Sequence, residues 1–121
     1  MATVLAVGLA VLLVVSGITH VTTPSYYRRL VPAWLPAPAT VVLVSGALDV
    51  VVGVLLLVPG TRAAGGWATA ALITAYLPAH LDRLRSARTA ARRFDRLPAV
   101  LASVAVNLGY IACALVVALR S

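Results

Sequence analysis

Four apolar runs, over residues 2–21, 39–58, 64–81 and 98–119, alternate along the chain with short segments rich in proline, glycine or arginine. A hydrocarbon core about 30 Å thick takes roughly 20 helical residues at about 1.5 Å each, and every run is close to that length. In lipid only helices and closed barrels satisfy their own backbone groups. Barrel strands would alternate apolar and polar residues, which these runs do not. The pattern predicts an all-α protein with a single domain over 1–121. That domain is an integral membrane four-helix bundle of up-down topology, with helices over about 2–21, 39–58, 64–82 and 98–119. The first run does not read as a cleaved secretory signal: no basic residue precedes Arg28, and Thr19-His20-Val21 is a poor small-residue cleavage site.

Composition agrees. Of 121 residues 62% are hydrophobic and 11% charged, with a net charge of +7. A soluble domain is typically about 25% charged, and a disordered chain needs low hydrophobicity, so both classes are excluded. The lone Cys113 cannot form an internal disulfide; in apolar surroundings its thiol is inert. Every basic side chain is an arginine, and eight of the ten fall on one side of the predicted bundle. Arg28 and Arg29 follow the first span, and Arg83, Arg85, Arg88, Arg92, Arg93 and Arg96 follow the third; Arg62 and Arg120 fall opposite. The positive-inside rule puts the eight in the cytoplasm and both termini outside.

The connections differ in kind. Thr23 before Pro24 suits an N-cap followed by proline at the first helical position, which predicts a short helix ending near Leu30, before Pro32, Pro36 and Pro38. With Tyr26, Tyr27 and Trp34, this first loop suits the membrane interface and would cover the bundle's cytoplasmic mouth. Its plainer reading is a proline-stiffened connector with aromatic anchors. After the third run, Leu84, Ala87, Ala91 and Phe94 recur at helical spacing among the arginines, the pattern of an interfacial amphipathic helix on anionic headgroups. A cluster tethered against a leaflet has a nearer anion than nucleic acid. Pro59-Gly60-Thr61-Arg62 is a tight turn, which makes the second and third spans antiparallel neighbours, and Trp67 reads as a belt residue at the outer interface.

Polar residues inside the spans are costly and therefore informative. Asp49 lies midway along the second span, where an acidic group costs about 2.5–3.5 kcal/mol on insertion scales. Gly46 and Gly53 share its helix face and would let another helix approach closely. Each span carries a polar pair at i, i+4, which stacks two side chains on one face: Ser16/His20, Ser45/Asp49, Tyr76/His80 and Ser103/Asn107, with Tyr110 one turn beyond Asn107. These groups predict an interior polar site centred on Asp49, formed with His20, Tyr76, His80, Asn107 and Tyr110.

Several chemistries compete for it. A protonated Asp49 hydrogen-bonded to Asn107 or a serine would simply hold the bundle together. A pocket for a quinone or other lipid-soluble molecule would use Asp49, Tyr76, His20 or His80 as hydrogen-bonding partners. A proton or solute path needs a relay to the outer face, where only Cys113 and Thr69 lie. Bis-histidine haem ligation by His20 and His80 is the weakest reading, because nothing else in the chain supports it. No metal-ligand cluster, phosphate loop or nucleophile motif is present.

The chain also resembles the DoxX-like family of small four-helix bacterial membrane proteins. The likeness rests on His20, Pro24, Tyr27, Val31, Pro32, Leu35 and Pro36 in and before the first loop, and on Ser45-Gly46 and Gly53 in the second span. Leu77-Pro78-Ala79 and Arg96-Leu97-Pro98 extend it. Asp49 stands where that family usually has Glu, and His80 where Asn is common, which argues further against haem. The resemblance implies a multi-pass protein of the bacterial cytoplasmic (inner) membrane. Such a protein would be an accessory or quinone-interacting subunit of a membrane redox complex, not a stand-alone enzyme. No cofactor is encoded, so electrons would come from a partner subunit. The alternatives are a structural or assembly component and a small proton or solute pathway.

Overall fold

The computed structural model describes residues 2–85 and 96–121, and all the regular structure among them is helical. Helix α1 spans Ala2–Thr22, α2 Pro24–Leu30, α3 Pro38–Leu57, α4 Arg62–Asp82 and α5 Leu97–Arg120. Three of these, α1, α3 and α5, are long and apolar enough to cross a membrane. Helix α4 fills the third predicted span but falls short of them in apolarity. It is built largely of alanine, glycine and threonine and carries Tyr76, Pro78 and His80.

The short α2 begins at Pro24 with Thr23 at the N-cap position, although the threonine side chain makes no capping bond. Ala37, with φ at 52°, turns the chain through the left-handed region immediately before Pro38 opens α3. Between α3 and α4 the chain reverses through a single 3-10 turn, Pro59–Thr61. Thr61 Oγ1 donates to the Leu55 carbonyl at 2.8 Å, and Arg62 Nε donates to the Leu56 carbonyl at 2.9 Å. Carbonyls left open at the end of α3 are thereby satisfied, and a cation is placed at the negative end of its dipole. A second 3-10 turn, Arg83–Arg85, follows α4, and Arg96 stands exposed at the N-cap of α5. Arg88, Arg92, Arg93 and most of the expected amphipathic stretch lie outside the described residues.

Helix α1 packs along α3 and α4 along α5, while α3 meets α4 and α1 meets α5; α1 and α4 therefore stand diagonally, as do α3 and α5. The interior divides by polarity along its length. Leu9 and Leu13 of α1, Val52 and Leu56 of α3, Ala70 of α4 and Val117 of α5 form an apolar core in one half. Most polar residues of the spans gather in the other; Thr69, buried in the apolar half, gives its hydroxyl hydrogen to the Gly65 carbonyl at 2.7 Å.

Helices α1 and α3 are closest at a seam of small residues. A Cβ on Gly17 would lie 2.5 Å from the Gly46 carbonyl oxygen, one on Gly46 would lie 2.7 Å from His20 Cβ, and one on Gly53 would lie 2.8 Å from Val14 Cγ2. Overpacking of this kind typically costs about 1–3 kcal/mol. We expect Gly17→Ala and Gly46→Ala to lower thermal stability in detergent by that order. Gly8→Ala and Gly109→Ala, where a Cβ meets nothing within 4 Å, should be neutral or slightly stabilising, since alanine is the better helix former. Equal effects at all four positions would contradict the seam.

Candidate functional site

The seam brings the polar pair of α1 against that of α3. Asp49, 1% exposed, is the most deeply buried charged-type residue described. Ser16 Oγ donates to its Oδ2 at 3.0 Å. From α4, the Tyr76 hydroxyl lies 2.7 Å from Oδ1 and 3.2 Å from the Ser45 carbonyl oxygen. The carboxyl thus joins α1 to α4, two helices that barely touch each other.

More than one proton arrangement satisfies this node. With an ionised carboxylate, Ser16 and Tyr76 both donate to it. With a neutral carboxyl, Oδ1–H donates to the tyrosine oxygen, and Tyr76 passes its own hydrogen to the Ser45 carbonyl, where the chain ends. Among the described residues no buried side-chain nitrogen or oxygen lacks a partner, as interiors require.

His20 stands beside the node. Its Nδ1 is 3.8 Å from Asp49 Oδ2, beyond hydrogen-bonding distance, and lies 2.6 Å from the Ser16 carbonyl oxygen. A carbonyl only accepts, so Nδ1 carries the hydrogen and, in the neutral ring, Nε2 is an acceptor. The short α2 folds back over this ring. Tyr27 stacks on His20 with centroids 3.7 Å apart and planes inclined by 18°, and its hydroxyl lies 2.6 Å from Thr19 Oγ1. Tyr26 meets Tyr27 edge-on at 5.1 Å and carries the Arg29 guanidinium over its own face at 5.5 Å.

Beneath this cover lies a cavity of about 530 Å³, within the size range of small-molecule sites. Leu30, Trp34 and Leu35 form its apolar cover, with Val42 and Ala79 in the walls. Ser16, His20, Ser45, Tyr76, His80 and Asn107 supply the polar surface. His80 Nδ1 and the Val100 carbonyl oxygen each lie 3.1 Å from Ser103 Oγ.

Of the six residues predicted to form the site, His20, Tyr76, His80 and Asn107 line the cavity. Asp49 lies behind the wall and holds Ser16 and Tyr76 in place without reaching the cavity itself. Asn107 does not bond to Asp49; its amide nitrogen donates to the Ser103 carbonyl of its own helix at 2.7 Å. Tyr110 packs against the apolar core and is not part of the cavity. Ser16, Ser45 and Tyr27 do belong to it. The first two were signalled by their i, i+4 partners, whereas the role of Tyr27 depends on how sharply the chain turns at Thr23. Among the described residues no three histidine, cysteine, aspartate or glutamate side chains cluster as a metal site would need.

Fold and site together define a helical protein with three membrane-length apolar helices and, at one end, a partly open cavity of mainly apolar lining with a few polar groups. Residues 9–118 match a family described as a domain of unknown function, DUF8561, and the chain belongs to that family. The match takes in every residue of the cavity. No curated protein and no solved structure matches the chain.

Asp49→Leu would leave the Ser16 hydroxyl without its acceptor and rob Tyr76 of its nearest partner. A buried polar group so stranded costs about 1–3 kcal/mol. Asp49→Asn, which can still accept and donate, should lose much less. Chemical or thermal unfolding in detergent checks this; equal losses for the two variants, or none for Leu, would contradict the described node.

Proposed function

We propose that this chain is an integral membrane protein of the DoxX-like type that holds a lipid-soluble, quinone-type molecule in the cavity beneath α2. It acts as an accessory subunit of a membrane redox complex, not as a stand-alone enzyme. The observation that carries this is the cavity itself: an amphipathic aromatic cover, apolar walls, and a few polar groups converging on one volume. That division suits a ring with polar substituents and an apolar body. A polar network serving only to hold helices together would leave no such space.

On this reading α4 is the fourth span of an up-down bundle. Its polar side chains are tolerated because Tyr76 and His80 are turned inward and hydrogen-bonded, which is how polar residues persist in spans. Arg28 and Arg29, with Arg83 after α4 and Arg96 before α5, lie at the cavity's end of the molecule. The positive-inside rule then opens the cavity toward the cytoplasmic face of the bacterial inner membrane and puts both termini outside. Electrons for any redox step come from a partner subunit, and the arginines meet anionic headgroups. A second reading, a structural or assembly component, is favoured by Asp49 being wholly engaged with protein groups.

Trp34 lines the cavity whereas Trp67 does not, so the fluorescence of a Trp67→Phe variant reports on the site. Duroquinone should quench it saturably, and Ala79→Phe, which fills the cavity, should weaken binding by about tenfold or more, roughly 1.4 kcal/mol. Linear, unsaturable quenching unaffected by Ala79→Phe would remove the quinone-pocket reading and leave the structural one. For orientation, a reporter fused after Ser121 should be active outside the cytoplasm; cytoplasmic activity would invert the topology.

A further inference from the structure

The cavity beneath α2 is not closed, and one apolar side of it leads out of the bundle. Ala75 and Pro78 of α4 line it, and both are exposed. Beyond them a second, more open volume of about 620 Å³ lies along the α4–α5 pair. Trp67, Ala71, Thr74 and Ala75 of α4 border this groove, with Ile111 and Leu115 of α5. Ala75 belongs to both volumes.

The register of the two helices carries one volume into the other. On α4, Ala71, Ala75 and Pro78 follow at i, i+4 and i+7 and so share a face. The first two border the groove and the last two the cavity. On α5, Asn107, Ile111 and Leu115 follow at i, i+4 and i+8, the first on the cavity and the others on the groove. Two rails thus run from the cavity toward Trp67, which is eight residues, or about 12 Å of helix, from Ala75. Polarity changes along this path. Ser16, His20, Tyr76 and His80 stand at the cavity end, whereas the groove is apolar but for the Thr74 hydroxyl and the Trp67 indole N–H.

We infer that the α4–α5 groove seats the hydrocarbon tail of the molecule whose ring occupies the cavity. The tail leaves past Ala75 and lies over Ala71 toward Trp67. This rests on the quinone-type reading proposed above and narrows it to ring compounds bearing one long tail. A neighbouring helix, about 10 Å or more across with its side chains, could cover the groove but could not follow it into the cavity; a single hydrocarbon tail can. Within a bilayer the gain comes from close packing, not from expelling water. The shape left by the small side chains of Ala71 and Ala75 therefore decides the fit, and a larger side chain there removes it.

The test is calorimetric titration of the full chain in lipid nanodiscs with decylubiquinone and with ubiquinone-0, the same ring without the decyl tail. Ala71 is exposed, so Ala71→Phe fills the groove without entering the core. It should weaken decylubiquinone binding about fivefold or more, roughly 1 kcal/mol, and leave ubiquinone-0 binding unchanged. Comparing variants with one compound cancels its partition into lipid. Thr74→Phe, also at an exposed groove position, should repeat the effect. Val51→Phe, at an exposed position on α3 that borders neither volume, should change neither affinity. Unchanged decylubiquinone binding in both groove variants, or equal weakening of the two compounds, would overturn the inference while leaving a quinone-type cavity in place. A groove variant that splits a dimer without altering decylubiquinone affinity would assign the groove to a second copy and overturn it too. Failure of both compounds to bind the unaltered protein would overturn the cavity reading and the inference with it.

Discussion

One carboxyl ties this structure together. Asp49 accepts a hydroxyl from Ser16 on α1 and engages Tyr76 on α4, and these helices otherwise make almost no contact. The bridge runs through the middle of α3, where an acid is costly to bury and where its partners consequently matter most. Because each oxygen of the carboxyl has a partner on a different helix, the separation of α1 and α4 follows from the size of one aspartate. The cavity lies between their ends. Lengthening or removing that side chain would alter the volume beside it, although Asp49 does not line the volume.

Such a short bridge depends on close backbones. Serine reaches only one bond beyond Cβ, so Ser16 meets Asp49 only because α1 and α3 approach without side chains between them. Gly17 and Gly46 provide this: neither could carry a Cβ without meeting the other helix, and a Cβ at Gly46 would strike His20 itself. Packing of the apolar half, around Leu13 and Leu56, holds the same helices in register farther along. Small residues thus set the separation, the separation allows the hydrogen bonds, and the bonds orient the groups that face the cavity.

Much of the architecture could be read from local chemistry. The cost of charge in lipid marked the apolar runs, Thr23-Pro24 marked the start of α2, and the same cost singled out Asp49. Neighbour relations could not be read in this way. Stacked i, i+4 pairs say which side chains share a face, but not which helix that face meets. Residue types alone offer Asn107 or a serine as the partner of Asp49; the partner is Ser16, because α5 lies diagonal to α3. The Asn107 amide turns to the Ser103 carbonyl one turn back, the local bond that polar side chains in helices commonly make. Tyr110, one turn farther on, is carried into the apolar half. Tyr27 was expected at the headgroup level, and its stacking on His20 depends on a chain reversal at Thr23 whose angle no residue pattern specifies. The third apolar run formed its helix, but alanine and glycine made it less lipid-like than its three companions.

If one carboxyl couples α1 to α4, the two hydroxyls that meet on it cannot act independently. A double-mutant cycle on Ser16→Ala and Tyr76→Phe, read by unfolding free energy in detergent, measures that coupling directly. Independent sites add within about 0.3–0.5 kcal/mol, whereas members of one network deviate by about 0.5–3 kcal/mol. The two substitutions should be non-additive by at least about 0.5 kcal/mol in the wild-type background, and the deviation should disappear when Asp49 is replaced by Leu. Simple additivity with Asp49 present would contradict the account.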